Sequence, residues 1–108
     1  MTFKNWRIEE MTGYKPKTTF YMDFSIAEPF GISAVCETYT RAMNEWKSNI
    51  EYVTELSMVL NWKIWEHHEK NDTLAKLYND LWDKCCVEIE NTYKGNEEAL
   101  SYFYRTTD

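Results

Sequence analysis

Glycine and proline are scarce, with 3 Gly and 2 Pro in 108 residues. A many-stranded sandwich or barrel needs a turn signal every ~8–12 residues, so too few breakers are present to build one. Cysteine is scarce and poorly spaced. Cys36, Cys85 and Cys86 make an odd count with one adjacent pair, a poor disulfide framework. There is no Cys-x-x-Cys spacing for zinc or thiol exchange, and the expected compartment is a reducing cytoplasm. No apolar run approaches the ~18 residues of a membrane span. Behind Lys4 and Arg7 there is no apolar stretch, so a secretory signal is not expected. Positive charge is also short. The chain carries 12 Lys and Arg against 18 Asp and Glu, a net charge of −6. That balance argues against direct contact with a phosphate backbone. No Gly-rich phosphate loop and no nucleophile motif occurs, so no catalytic residue and no cofactor is expected.

What remains is the composition of a single globular domain, 44% hydrophobic and 28% charged. Residues 1–18 stand apart as a basic arm. Residues 1–21 hold Lys4, Arg7, Lys15 and Lys17 against Glu9 and Glu10, a net +2, which leaves −8 for residues 22–108. Gly13 and Pro16 mark a loop there. Residues 19–108 read as a helical bundle. Thr19 is the expected N-cap of a short helix over 20–28, with Asp23 in its early turns. Pro29-Phe30-Gly31 breaks it, and Ser33 is the expected cap of a helix over 34–47.

The next three segments have strong helical periodicity. Val35, Tyr39, Ala42, Met43 and Trp46 mark one face of the 34–47 segment. Val53, Leu56, Leu60 and Ile64 form a stripe on a helix over 50–70. Asp72 is the expected cap of a helix over 73–94, whose core face is Leu74, Leu77, Tyr78, Leu81, Cys85 and Ile89. Gly95 stops it, and a last helix is expected near 97–105. The fold class is therefore all-α: a small antiparallel bundle of three main helices with short flanking helices.

Candidate function concentrates on the far side of the 50–70 helix. Opposite the core stripe, at ~100° per residue, runs the line Glu51, Glu55, Met58, Trp62, Glu66, Glu69. An aromatic anchor and a flexible thioether ringed by carboxylates suit a partner-binding surface. The competing reading is a solvated face with Met58 and Trp62 covered by the basic arm. Glu66-His67-His68-Glu69 holds metal-ligand types, yet adjacent histidines diverge by ~100° and cannot both face one ion from a regular helix. No metal is therefore expected. Cys85-Cys86 reads as two small buried hydrophobes. The aromatic content, 17%, exceeds what a small core needs, and surplus aromatics often mark an interface.

Lys15-Pro16-Lys17-Thr18-Thr19-Phe20, Asp23 to Ala27, Gly31-Ile32, Ala42 to Lys47 and Leu60 to Trp65 together resemble a group of short proteins carried by phages and mobile elements of Gram-positive bacteria. The resemblance spans most of residues 13–108 and carries no catalytic motif. It implies a cytoplasmic accessory role in the contest between host cell and element. By analogy of size and charge it suggests an anti-CRISPR-type inhibitor. The leading expectation is a non-enzymatic, acidic inhibitor of a nucleic-acid-handling host complex, with a CRISPR-associated nuclease as the protein partner. The carboxylates of the third helix, with Asp80, Asp83, Glu88, Glu90, Glu97 and Glu98, would occupy a basic channel meant for phosphates. The alternatives are a structural or assembly accessory acting as a homodimer through the strip on the 50–70 helix, and a small metal-dependent hydrolase using Glu66, His67, His68 and Glu69. Neither nucleic acid nor membrane is an expected partner.

Overall fold

The computed structural model describes residues 18–69 and 73–107. The arm expected over 1–18 lies outside the described residues except for Thr18, and so does the expected cap Asp72. Five α-helices and one 3-10 turn make up the described fold, with no strand among the described residues. The helices are α1 (Phe20–Ala27), α2 (Ile32–Trp46), α3 (Ile50–His68), α4 (Thr73–Thr92) and α5 (Glu97–Thr107). The all-α expectation holds.

Helix α1 is short and buries Phe20, Tyr21, Phe24 and Ala27. Thr19 precedes it, but its hydroxyl does not cap the backbone; it donates to Asp23 Oδ2 at 3.1 Å. Glu28, Pro29 and Phe30 then tighten into the 3-10 turn, with proline tolerated because the first turn leaves its N–H unneeded. Gly31 turns the chain at φ +103°, a conformation that disfavours L side chains. Helix α2 follows at once. Its N-cap is Gly31, not the expected Ser33, which falls exposed inside the first turn. The positive φ of Gly31 lets the helix begin two residues earlier than a serine cap would.

Helix α2 buries Val35, Tyr39, Ala42 and Met43 of the face read from its periodicity, while Trp46, read on the same face, is half-buried against the core. Asn49 caps α3, its side-chain oxygen accepting from the Tyr52 N–H at 3.1 Å. Gly95, at φ +88°, ends the turn after α4, and Asn96 caps α5 by accepting from Ala99 N at 3.1 Å. Tyr93 donates its hydroxyl to the Lys47 carbonyl at 2.8 Å, tying the end of α4 to the end of α2.

Helix α3 is the centre of the molecule. It packs on α1, α2, α4 and α5, with α4 its largest partner. Val53, Leu56, Val59 and Leu60 are buried against Phe24, Val35, Tyr78, Cys85 and Ile89 in one apolar core. Because neighbours surround it, α3 also buries Thr54, Glu55, Ser57, Lys63 and His67. Polar side chains of this size go inside only when paired, and two of them, Lys63 and His67, belong to the site described next.

Candidate functional site

Two helical faces meet beneath α1. Tyr21, Ser25 and Glu28 recur at i, i+4 and i+7 from α1 into the 3-10 turn. Lys63, Glu66 and His67 recur at i, i+3 and i+4 on α3. Tyr78 joins them from α4. The Lys63 side chain is 1% exposed, and its ammonium lies 3.0 Å from Glu28 Oε2 and 3.5 Å from Glu66 Oε2. It also donates to Ser25 Oγ at 2.7 Å and stands 4.3 Å above the Tyr21 ring. Glu28 Oε2 further accepts from the Tyr78 hydroxyl at 2.6 Å and meets His67 Nε2 at 3.0 Å. Tyr21 donates to Glu66 Oε1. The imidazole of His67 stacks on the Tyr78 ring at 5.6 Å.

The electrostatics follow from these contacts. Burial alone would raise the Glu28 carboxyl, but the donors Tyr78, Lys63 and His67 outweigh it and hold the group below its ordinary range. Burial and the adjoining carboxylates push the Tyr21 and Tyr78 hydroxyls far upward, so both remain donors. An ammonium has three N–H donors. Ser25, Glu28 and Glu66 supply three acceptors, which accounts for the whole donor capacity of Lys63. The cluster is chemically self-satisfying: a cation between two anions, closed by two phenols and an imidazole.

Glu28, Glu66 and His67 offer ligand atoms within 4.8 Å of one another, a possible divalent-cation set. The Lys63 ammonium already sits among the same oxygens, and a divalent ion would have to expel it. The quartet Glu66, His67, His68 and Glu69 is not brought together. Glu66 and His67 turn toward Glu28, whereas His68 and Glu69 are exposed and His68 lies against Trp65.

The line Glu51, Glu55, Met58, Trp62, Glu66, Glu69 is divided by the packing of α3. Glu51 and Glu69 are exposed. Glu55 is 1% exposed, because α3 has neighbours on both sides at that level. Glu66 belongs to the buried cluster. Met58 and Trp62 are half-buried and form one wall of a separate groove. The six therefore do not form one continuous exposed strip.

That groove lies between α3, α4 and α5 and encloses about 470 Å³. Helical spacing supplies its lining: Met58 and Trp62 from α3, Trp82, Cys86 and Glu90 from α4, Phe103 and Tyr104 from α5. Tyr104 donates its hydroxyl to Glu90 Oε2 at 2.6 Å. Burial, followed by Glu90 and Asp83, pushes the Cys86 thiol up to about 11, so it is a poor nucleophile. Among the described residues no helix is long and apolar enough to cross a membrane. Comparison with protein-family models, curated proteins and solved structures gives no match.

Proposed function

We propose that this chain is a non-enzymatic interaction protein of the phage or mobile-element type that inhibits a nucleic-acid-handling host complex. A CRISPR effector nuclease is the specific candidate. The observation that carries the reading is the α3–α4–α5 groove, where Met58 and Trp62 stand half-buried beside Trp82 with a carboxylate at the rim. Half-buried indoles keep apolar surface to desolvate on binding, which is how interface anchors contribute. The buried cluster supports the same reading from the other side. Its Lys63 donors are already engaged by Ser25, Glu28 and Glu66, so it serves the fold.

Exposed Asp80, Asp83, Glu90, Glu97 and Glu98 lie on α4 and α5, the two helices that form the groove with α3. On a chain of net charge −6, Glu90 at the groove and these further carboxylates favour encounter with a cationic surface. A channel built to hold phosphates is such a surface. Occupying it would exclude nucleic acid without chemistry.

The test is interference in cells. A Gram-positive host with an active CRISPR system is challenged with a targeted plasmid, with and without this chain expressed. The reading expects transformation to rise when the chain is present, with no change for an untargeted plasmid. Equal transformation efficiencies across several effector types would refute it.

A homodimeric assembly protein is the second reading, and an apolar edge favours it. Ile26, Phe30 and Ile32 are 60%, 79% and 52% exposed at the α1–α2 corner. Such edges on small domains often mark association. Light scattering distinguishes the readings: a monomer at ~100 μM removes the dimer, since an obligate homodimer stays associated far below that concentration.

A further inference from the structure

The α3–α4–α5 groove combines aromatic walls, a thioether and one carboxylate. Trp62, Trp82, Phe103 and Tyr104 supply four aromatic side chains, from three different helices. Met58 adds a polarisable thioether. Among the described residues Glu90 is the single charged side chain lining the groove, and it is an anion. The Tyr104 hydroxyl holds that carboxylate by one oxygen, which orients it at the rim. Among the described residues no cationic side chain lines the groove.

Aromatic faces carry negative quadrupoles and attract cations, indole most strongly. A carboxylate adds a full charge and accepts paired N–H donors. Among biological cations, guanidinium fits this combination best. It is planar, stacks on aromatic rings, binds carboxylates with two N–H bonds and is weakly hydrated. An ammonium is compact and strongly hydrated, and loses more on entering a mostly apolar groove.

We infer that the groove is a receptor for an arginine side chain presented by a partner protein, with the guanidinium between the Trp62 and Trp82 walls and paired to Glu90. The inference rests on the reading of the groove as the contact surface and gives that surface its ligand chemistry. The net charge of −6 favours the same partner, because it raises the local concentration of cationic segments.

The test uses the full chain labelled with 15N and three capped tripeptides, Gly-Arg-Gly, Gly-Lys-Gly and Gly-citrulline-Gly. Citrulline keeps the shape of arginine and removes its charge. Indole N–H cross-peaks of Trp62 and Trp82 report on the groove. That of Trp65, 62% exposed and outside the groove lining, is the internal control. The arginine peptide should shift the Trp62 and Trp82 peaks saturably, with a Kd on the order of millimolar, and leave Trp65 unmoved. The lysine peptide should bind several-fold more weakly, and citrulline about tenfold or more weakly. Glu90→Gln, at an exposed position that does not threaten folding, should weaken the arginine peptide about tenfold.

Equal binding of arginine and citrulline, equal binding of arginine and lysine, an unchanged affinity in Glu90→Gln, or no saturable shift would each overturn the inference. The outcome is separable from the interference assay. A groove that binds arginine in a chain without effect in cells removes the proposed function and leaves the receptor standing. Interference blocked by a chain whose groove ignores arginine does the reverse.

Discussion

Replacing Lys63 by Met removes the cation from the centre of the buried cluster and keeps most of the side-chain volume. Glu28 and Glu66 are then left close together with side chains only 15% and 13% exposed. Removing one partner of a buried ion pair typically costs ~3–5 kcal/mol, because the remaining charge is uncompensated. A second anion at 3.5 Å from the lost ammonium puts this site at the upper part of that range. A domain of this length has a total stability of ~5–15 kcal/mol, so the variant should lose a third of it or more. Urea unfolding followed by circular dichroism at pH 7 measures the loss directly. Adding Glu28→Gln to Lys63→Met should recover part of it, because the carboxylate no longer lacks a cation. The two changes should couple by ~1–3 kcal/mol. A loss below ~1 kcal/mol for Lys63→Met, with no coupling, is what a solvated surface pair gives, and it would refute the burial of this network.

The pH profile of stability should fall on both sides. Because the folded-state Glu28 lies below its ordinary value of 4.5, its contribution is present above that pH and is lost as the medium acidifies further; Tyr78→Phe should make the acid fall shallower by removing a donor. Tyr21 and Tyr78 are raised well above 10.0, so stability should fall as the pH rises past 10, where the unfolded phenols ionise first; a flat alkaline limb to pH 11 would contradict their burial. Leu60→Ala, at a fully buried position at the centre of α3, should cost ~2–5 kcal/mol by urea titration, and an unchanged midpoint would contradict the core assignment. Cys86 should alkylate with iodoacetamide at pH 8 roughly a hundredfold more slowly than an unperturbed thiol, since its value of about 11 leaves little thiolate; rapid labelling of Cys86 would place it in water.

The helices were legible because each carries its own apolar period. Val35 to Met43 on α2, Val53, Leu56 and Leu60 on α3, and Tyr78, Leu81, Cys85 and Ile89 on α4 are buried as their spacing implied, whereas Trp46, Ile64, Leu74 and Leu77 at the ends of the stripes are half-buried. What a period cannot convey is how many neighbours a helix has. The line through Glu55, Met58 and Trp62 is opposite the stripe of α3, and on a two-neighbour helix it would be wet. With α5 packed on that side as well, Glu55 goes inside and Trp62 becomes a wall. Reversing Glu55 or Glu66 to Lys would therefore disturb the interior before it altered any encounter with a partner.

The cluster around Lys63 was hidden for a related reason. Lysine and glutamate count as surface residues by type, and only pairing takes them inside. One local signal did exist: Tyr21, Ser25 and Glu28 share a face of a segment that also buries Phe20, Phe24 and Ala27. Polar residues at helical spacing beside a full apolar face suggest a partner in the interior. The partner, Lys63, is 38 residues from Ser25, and no local pattern links the two. The Ser33 cap failed on chain direction, since Gly31 at positive φ starts α2 directly.

In the proposed function the groove of Met58, Trp62, Trp82 and Glu90 is the contact surface, and the Lys63 cluster holds the fold. Inhibition of a purified RNA-guided nuclease tests it most directly, using the wild-type chain beside Glu90→Lys. The wild type should lower target-DNA binding in a dose-dependent way. Glu90→Lys should need at least ~10-fold more protein for the same effect, with an unchanged unfolding midpoint. Equal potency of the two proteins, or no inhibition by either, would contradict it.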